Sequence, residues 1–173
     1  HSFPTRRSSD LSDALKTTVS LELPDGKGLF TRELTREQLD AIYGKDRVDA
    51  MWRDVEKQRD LHRQRKAEFD TDVERLAEGS SVMLADIKGA IRAVEKSLQK
   101  DRPATALKDL LRATIVAKSV EDALSALERV KSQFSIVEAE DRFSDPTEAG
   151  YMDAIVIMDL GGGLKAELQI NIP

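Results

Sequence analysis

The chain has 173 residues and a formal net charge of −5, with 40% hydrophobic and 34% charged residues, about one domain's worth of chain with a heavily charged surface. With no cysteine and only two histidines, it has no disulfide framework, thiol nucleophile, thiolate zinc site or multi-histidine metal site. Its longest unbroken apolar run, Ala154–Met158, is far short of the ~20 residues that a membrane-spanning helix needs.

In chain order, His1–Leu11 reads HSFPTRRSSDL. It resembles the translation of a short-read sequencing adapter, and is expected to stand outside the fold. The native start is then expected upstream of the given chain, and the ending Asn171-Ile172-Pro173 is expected to be a second truncation. Thr17–Leu23 is rich in β-branched and apolar residues and precedes Pro24-Asp25-Gly26, which predicts a short strand and a turn. Thr35 and Gln38 have the spacing of a capping box, so a helix is expected from there to about Tyr43, closed by Gly44. Between Asp46 and Ala77 there is no proline or glycine, and one long helix, 46–77, is expected. Its stripe is apolar at the ends (Val48, Trp52, Val55; Phe69, Val73, Leu76) and polar at Arg59, His62 and Lys66. The ends are therefore expected to dock, with the middle, His62 included, solvated or against a partner. Residues 12–80 make a first region of strand and helices, and 81–173 a second.

Gly79-Ser80-Ser81 breaks the pattern, and Met83, Ile87, Ile91, Val94 and Leu98 predict a helix over Ser81–Gln99. Leu110–Ala117 reads as a strand. Ser119 caps a helix to about Lys131 through Val120, Leu124, Leu127 and Val130. Phe134–Ala139 is a strand and Asp141–Gly150 a loop; Asp153–Leu160 and Leu164–Ile170 are strands joined by Gly161-Gly162-Gly163. The expected class is α+β, a mixed sheet with flanking helices, preceded by a long helix.

The last strand alternates strictly. Leu164, Ala166, Leu168 and Ile170 share one face; Lys165, Glu167, Gln169 and Asn171 share the other. Asp109 stands at the entry of the first strand of this region. If the two strands are neighbours, Asp109 and Glu167 suit Mg²⁺, which binds through one or two carboxylates plus substrate phosphates. From Lys88 to Lys118 there are eight Lys/Arg against three acids in a chain that is acidic overall. Lys88, Arg92 and Lys96, spaced by four, are expected to stack on one helix face, either as a solvated basic surface or as a site for a polyanion. Neither a GxxxxGK[ST] loop nor a GxGxxG fingerprint is present.

Four segments taken together resemble a known family, the synthetase domain of RelA/SpoT-like proteins that make (p)ppGpp alarmones. They are Lys88–Lys96 (KGAIRAVEK), Lys108–Val116 (KDLLRATIV), Asp141–Tyr151 (DRFSDPTEAGY) and Glu167–Ile170 (ELQI). The resemblance covers about residues 86–173. It implies a nucleotidyltransferase-like fold and transfer of pyrophosphate from ATP to the 3′-hydroxyl of a nucleotide. It also implies Mg²⁺ on Asp109 and Glu167, with Glu167 as base. Lys88, Arg92, Lys96, Arg112 and Arg142 would be the nucleotide-binding cations, Tyr151 the stacking ring, and Gln169 the support of the Glu167 row. Thr114, Ile155 and Asn171-Ile172 depart from the family's usual arginine, histidine and arginine-threonine, departures that bear on guanine specificity. The Tyr151-Met-Asp153 form resembles divergent toxin-like or mobile-element branches, so the acceptor is GDP/GTP, an adenine nucleotide, or the 3′ end of tRNA. His62 is followed by Arg63, so there is no hydrolase-type His-Asp pair. The implied setting is cytoplasmic and away from membranes, as a homo-oligomer or part of a larger polypeptide. Two other readings are a non-catalytic nucleotide sensor on the same fold and a helical protein-interaction module.

Overall fold

The structure, a computed structural model, describes residues 34–150 and 152–173 together with two short strands, 19–22 and 29–32. The adapter-like segment, the turn expected at Pro24–Gly26 and Tyr151 lie outside the described residues. Strands β1 (Val19–Glu22) and β2 (Leu29–Arg32) pair antiparallel. The chain divides into two compact units, the first formed by residues up to Gln58 and Gly89–Leu107, the second by Arg59–Lys88 and Lys108–Pro173.

The first unit holds α1 (Arg36–Tyr43), most of α2 (Lys45–Arg63), α4 (Ala90–Gln99) and a 3-10 turn at Ala104–Ala106. The capping box is as the spacing predicts: the Gln38 backbone N–H donates to Thr35 Oγ1 at 3.2 Å, and the Thr35 N–H to Gln38 Oε1 at 2.8 Å. Gly44 ends α1 at φ +89°, a conformation that costs glycine little. Leu39, Val48, Val55, Ala93, Val94 and Leu98 are fully buried here.

The second unit is built on a five-stranded mixed sheet in the order β3-β4-β7-β6-β5. Its strands are β3 (Ser81–Leu84), β4 (Leu111–Val116), β5 (Ser135–Asp141), β6 (Asp153–Gly161) and β7 (Leu164–Asn171). Only the β4–β7 pair is parallel. Helices α3 (Lys66–Ala77) and α5 (Val120–Gln133) pack on one face. Phe69, Val73 and Leu76 of α3 and Ala126, Leu127 and Val130 of α5 meet the inward residues of β4, β6 and β7, among them Ile115, Met158 and Leu168. The α+β class expected from the sequence is the one observed.

Three local expectations are corrected. The run 46–77 is two helices, α2 and α3, not one. At the break the Arg65 N–H turns to His62 O at 2.9 Å, an i→i−3 bond, instead of continuing the i→i−4 ladder. No proline or glycine causes this; the Arg65 side chain donates to Leu160 O and Lys66 Nζ to Ala85 O, contacts that a straight helix pattern does not contain. His62, expected to be solvated, is 2% exposed. The segment Ser81–Gln99 is not one helix either. Ser81–Leu84 forms edge strand β3, paired antiparallel with β4 (Val82 with Ile115), and the helix begins only at Ala90. No helix among the described residues is long and apolar enough to cross a membrane.

Candidate functional site

The side of the sheet away from α3 and α5 carries the polar residues, and β7 shows why. Leu164, Ala166, Leu168 and Ile170 are buried, while Lys165, Glu167, Gln169 and Asn171 between them stay partly exposed. Cross-strand register then assembles a surface from residues far apart in sequence. On one side of β7, Arg112 stands opposite Glu167 and Thr114 opposite Gln169. On the other, Ile157 stands opposite Glu167, Ile155 opposite Gln169 and Asp153 opposite Asn171. Neighbouring strands are about 4.8 Å apart, so Arg112 places a cation one strand from Glu167. Beside this row, Glu138, Ala139, Glu140, Ile155 and Ile157 line a pocket of about 260 Å³.

A second charged centre lies at the entry to β4. Lys88 Nζ donates to Asp109 Oδ2 at 2.6 Å, and each side chain is only 14% exposed. The segment bearing Lys88 is held extended: the Lys88 N–H donates to Leu110 O at 3.1 Å and Arg59 Nε donates to Lys88 O at 2.9 Å. Asp109 is three residues before Arg112, the cross-strand partner of Glu167. Next to it in sequence, Lys108 Nζ reaches both carboxylate oxygens of Glu138 at 3.0 Å.

The third centre joins Arg142 and Gln169, both expected site residues, through an acid whose role the sequence did not show. Asp153, at the start of β6, is fully buried. Its carboxylate accepts from Arg142 Nε at 2.5 Å, Arg142 Nη2 at 2.7 Å and Gln169 Nε2 at 3.1 Å. The Arg142 backbone N–H also donates to Asp153 O at 2.8 Å, so the two ends of the loop between β5 and β6 are tied together. At the loop's start, Asp141 accepts from the Phe143 and Ser144 N–H groups and from Ser144 Oγ. Partial burial tends to raise the Asp141 carboxyl's affinity for a proton, but the Ser144 and Phe143 donors together outweigh it and hold the group below its ordinary value.

The predicted residues thus fall into groups. Arg112 and Glu167 are in register; Lys88 and Asp109 are paired; Arg142 and Gln169 meet through Asp153. Arg92 and Lys96 are on α4 in the first unit, four residues apart; Lys88 precedes that helix, so the three do not share one helix face. Tyr151 lies outside the described residues. Sequence reasoning missed the role of Asp153 because an acid at a strand boundary reads as an ordinary strand end. The available signal was its place two residues after Tyr151. Arg59 was missed as part of a polar stretch of helix.

The described residues thus form a mixed five-stranded sheet with helices on one face and a carboxylate–cation row on the other. Among solved structures, the fold is similar to a chain in the crystal structure of the complex between the Type VI effector Tas1 and its immunity protein, at 29% identity and a TM-score of 0.57. That match covers 70% of this chain and 62% of that one, so this chain spans under two thirds of its length. It is also similar to the small alarmone synthetase 2 from Bacillus subtilis, at 17% identity and a TM-score of 0.56, covering 68% and 71% of the two chains. The third is the small alarmone synthetase 1 from Bacillus subtilis bound to its product pppGpp, at 19% identity and a TM-score of 0.52, covering 65% and 69%. The sequence matches no protein-family model and no curated protein sequence.

Proposed function

We propose that this chain is a Mg²⁺-dependent pyrophosphokinase that moves pyrophosphate from ATP to the 3′-hydroxyl of a nucleotide. The observation that carries the reading is the register of Glu167 with Arg112 on the polar face of a sheet whose fold is that of alarmone synthetases. In this reading the 3′-oxygen attacks the β-phosphorus of ATP, the bond from that phosphorus to the α–β bridging oxygen breaks, and AMP leaves. The proton of the hydroxyl passes to the Glu167 carboxylate, a positioned base of the kind that contributes about 10²–10⁴-fold to rate. Arg112, one strand away, stabilises the charge that grows on the phosphoryl oxygens. Lys88 is a further cation for the ATP phosphates, and Tyr151 is the ring for the acceptor's base.

The donor chemistry fits Mg²⁺. Asp109 and Glu167 offer hard carboxylate oxygens, though they sit in separate centres, Asp109 on Lys88 and Glu167 opposite Arg112. An ion held by these two carboxylates would complete its shell with nucleotide phosphates and water, as Mg²⁺ characteristically does, and would supply neutralisation of phosphate charge. Lys88 holds the Asp109 carboxylate; with an ion on that carboxylate, the ammonium would be available to a nucleotide phosphate.

One observation favours a second reading, nucleotide binding without turnover: Lys88 and Arg142 are each held by a carboxylate of the chain itself. The five-stranded sheet does not suit a purely helical interaction module. Incubation with labelled ATP, Mg²⁺ and a panel of GDP, GTP, ADP, ATP and tRNA, followed by chromatography, separates the readings. A labelled pyrophosphorylated product with release of AMP is expected. Nucleotide binding with no product on any acceptor favours the second reading, and no nucleotide binding removes both.

A further inference from the structure

Three side-chain donors from two elements converge on Asp153: Nε and Nη2 of Arg142, just past the end of β5, and Nε2 of Gln169 on β7. The acceptor is a carboxylate with no exposed surface, an expensive group to bury, and one that accepts but cannot donate while ionised. The Arg142 guanidinium grips it as a fork, through Nε and Nη2. Gln169 carries one donor end and one acceptor end on the same amide. A charged Asp153 can take only the donor end, so the carbonyl Oε1 is turned away from it. Gln169 is two residues from Glu167 on the same face of β7, about 7 Å along the strand, within the span of one nucleoside.

We propose that Asp153 is a positioning residue that sets the amide of Gln169, so that position 169 presents a hydrogen-bond acceptor to the nucleotide whose hydroxyl is engaged by Glu167. The ligand group it takes is a donor, a ribose hydroxyl or a base N–H, and not a phosphate oxygen. This rests on the reaction proposed above. It adds a selection rule at one position: the spot beside Gln169 takes a donor of the acceptor nucleoside.

The test is a swap of the two groups, with binding of GDP and of ADP read by calorimetry without ATP and thermal unfolding followed alongside. Asp153→Asn allows the residue-153 amide to donate to Gln169 and lets the Gln169 amide turn over. Gln169→Glu sets a second carboxylate against Asp153. Each single change is expected to weaken the better-bound nucleotide about tenfold, the scale of one hydrogen bond to a charged or polar partner. The double change Asp153→Asn/Gln169→Glu restores a donor–acceptor pair with the acceptor facing the ligand, and is expected to recover affinity to within about threefold of native. Unchanged single variants, or a double variant that loses the sum of both, would overturn the proposal. 2′-Deoxy-GDP compared with GDP tells a ribose hydroxyl from a base N–H as the donor. If Asp153→Asn fails to fold, the native protein still decides the matter through the Gln169 side-chain amide protons, assigned by their loss in Gln169→Glu. Slow exchange is expected; exchange at the rate of a free amide would overturn the assignment. If the native chain binds neither nucleotide, the pyrophosphate-transfer reading falls, while the amide protons still report whether Asp153 holds Gln169.

Discussion

The Lys88–Asp109 pair and the Arg142–Asp153–Gln169 cluster are both carboxylate–cation centres in the sheet unit, and they are built differently. In the first, two side chains that are each 14% exposed share one hydrogen bond, and both residues lie outside regular strands. In the second, a carboxylate with no exposed surface is met by three hydrogen bonds and rooted at the start of a central strand. A carboxylate with access to solvent can trade its partner for another cation. One that is fully buried cannot, because removing its cation leaves an uncompensated carboxylate in a dry site. The first centre is suited to exchange with a metal and a nucleotide, the second to holding geometry.

The largest expected effect tests that contrast directly. Arg142→Met should lower unfolding stability by about 3–5 kcal/mol, the usual penalty for stranding one partner of a buried pair, read as a fall in the denaturant midpoint at unchanged slope. A variant as stable as the native protein would show that Asp153 is neutralised in some other way and that the two centres do not differ in kind.

Next comes chemistry at the row that both centres flank. Glu167→Gln keeps shape and hydrogen-bonding capacity but removes the base, so turnover on the best acceptor should fall about 10²–10⁴-fold with little change in unfolding. Lys165→Gln, on the same face of β7, should matter far less. Near-native transfer by Glu167→Gln would remove the proposed mechanism.

Smaller effects are expected at the exchangeable centre. Lys88→Met should cost less stability than Arg142→Met, since both members of this pair keep some access to solvent. With the ammonium gone, Mg²⁺ should bind more tightly in the absence of nucleotide, while ATP should bind less tightly. Asp109→Asn should weaken the Mg²⁺ dependence by removing a hard ligand. If Lys88→Met instead unfolds the protein as Arg142→Met does, the pair is a structural anchor and the contrast is lost.

The smallest effect concerns the loop whose ends Asp153 ties together. Asp141 is held below its ordinary value by its Ser144 and Phe143 donors. A depressed carboxyl contributes stability that is fully present above its unfolded value and is lost as pH falls through the lower folded value. Acid titration to below about pH 4 should therefore loosen the loop in the native protein. Asp141→Asn should make the loop's amide protection, taken relative to the intrinsic exchange rate, nearly independent of pH in that range. Identical pH profiles for the two proteins would show that the Asp141 turn does not order the loop.

The sequence by itself determined what depends on neighbours a few residues apart. The alternation of β7, which separates Leu164, Ala166, Leu168 and Ile170 from Lys165, Glu167, Gln169 and Asn171, needs only the two-residue period of a strand. The Thr35–Gln38 box and the Ser119 cap of α5 need only backbone donors within one turn. Tertiary structure decided the rest. Ser81–Leu84 has apolar residues that fit a helical period, yet it became a strand because the edge of β4 offered it hydrogen bonds from 30 residues away. The helix breaks at Arg65, where the Arg65 and Lys66 side chains reach the carbonyls of Leu160 and Ala85, partners far away in the chain. Asp153 was legible as an acid at a strand start, but not as the residue joining Arg142 to Gln169. That role depends on Ile155 and Gln169 being registered across two strands, and register is set by burying one face of the whole sheet, a condition that no local window contains.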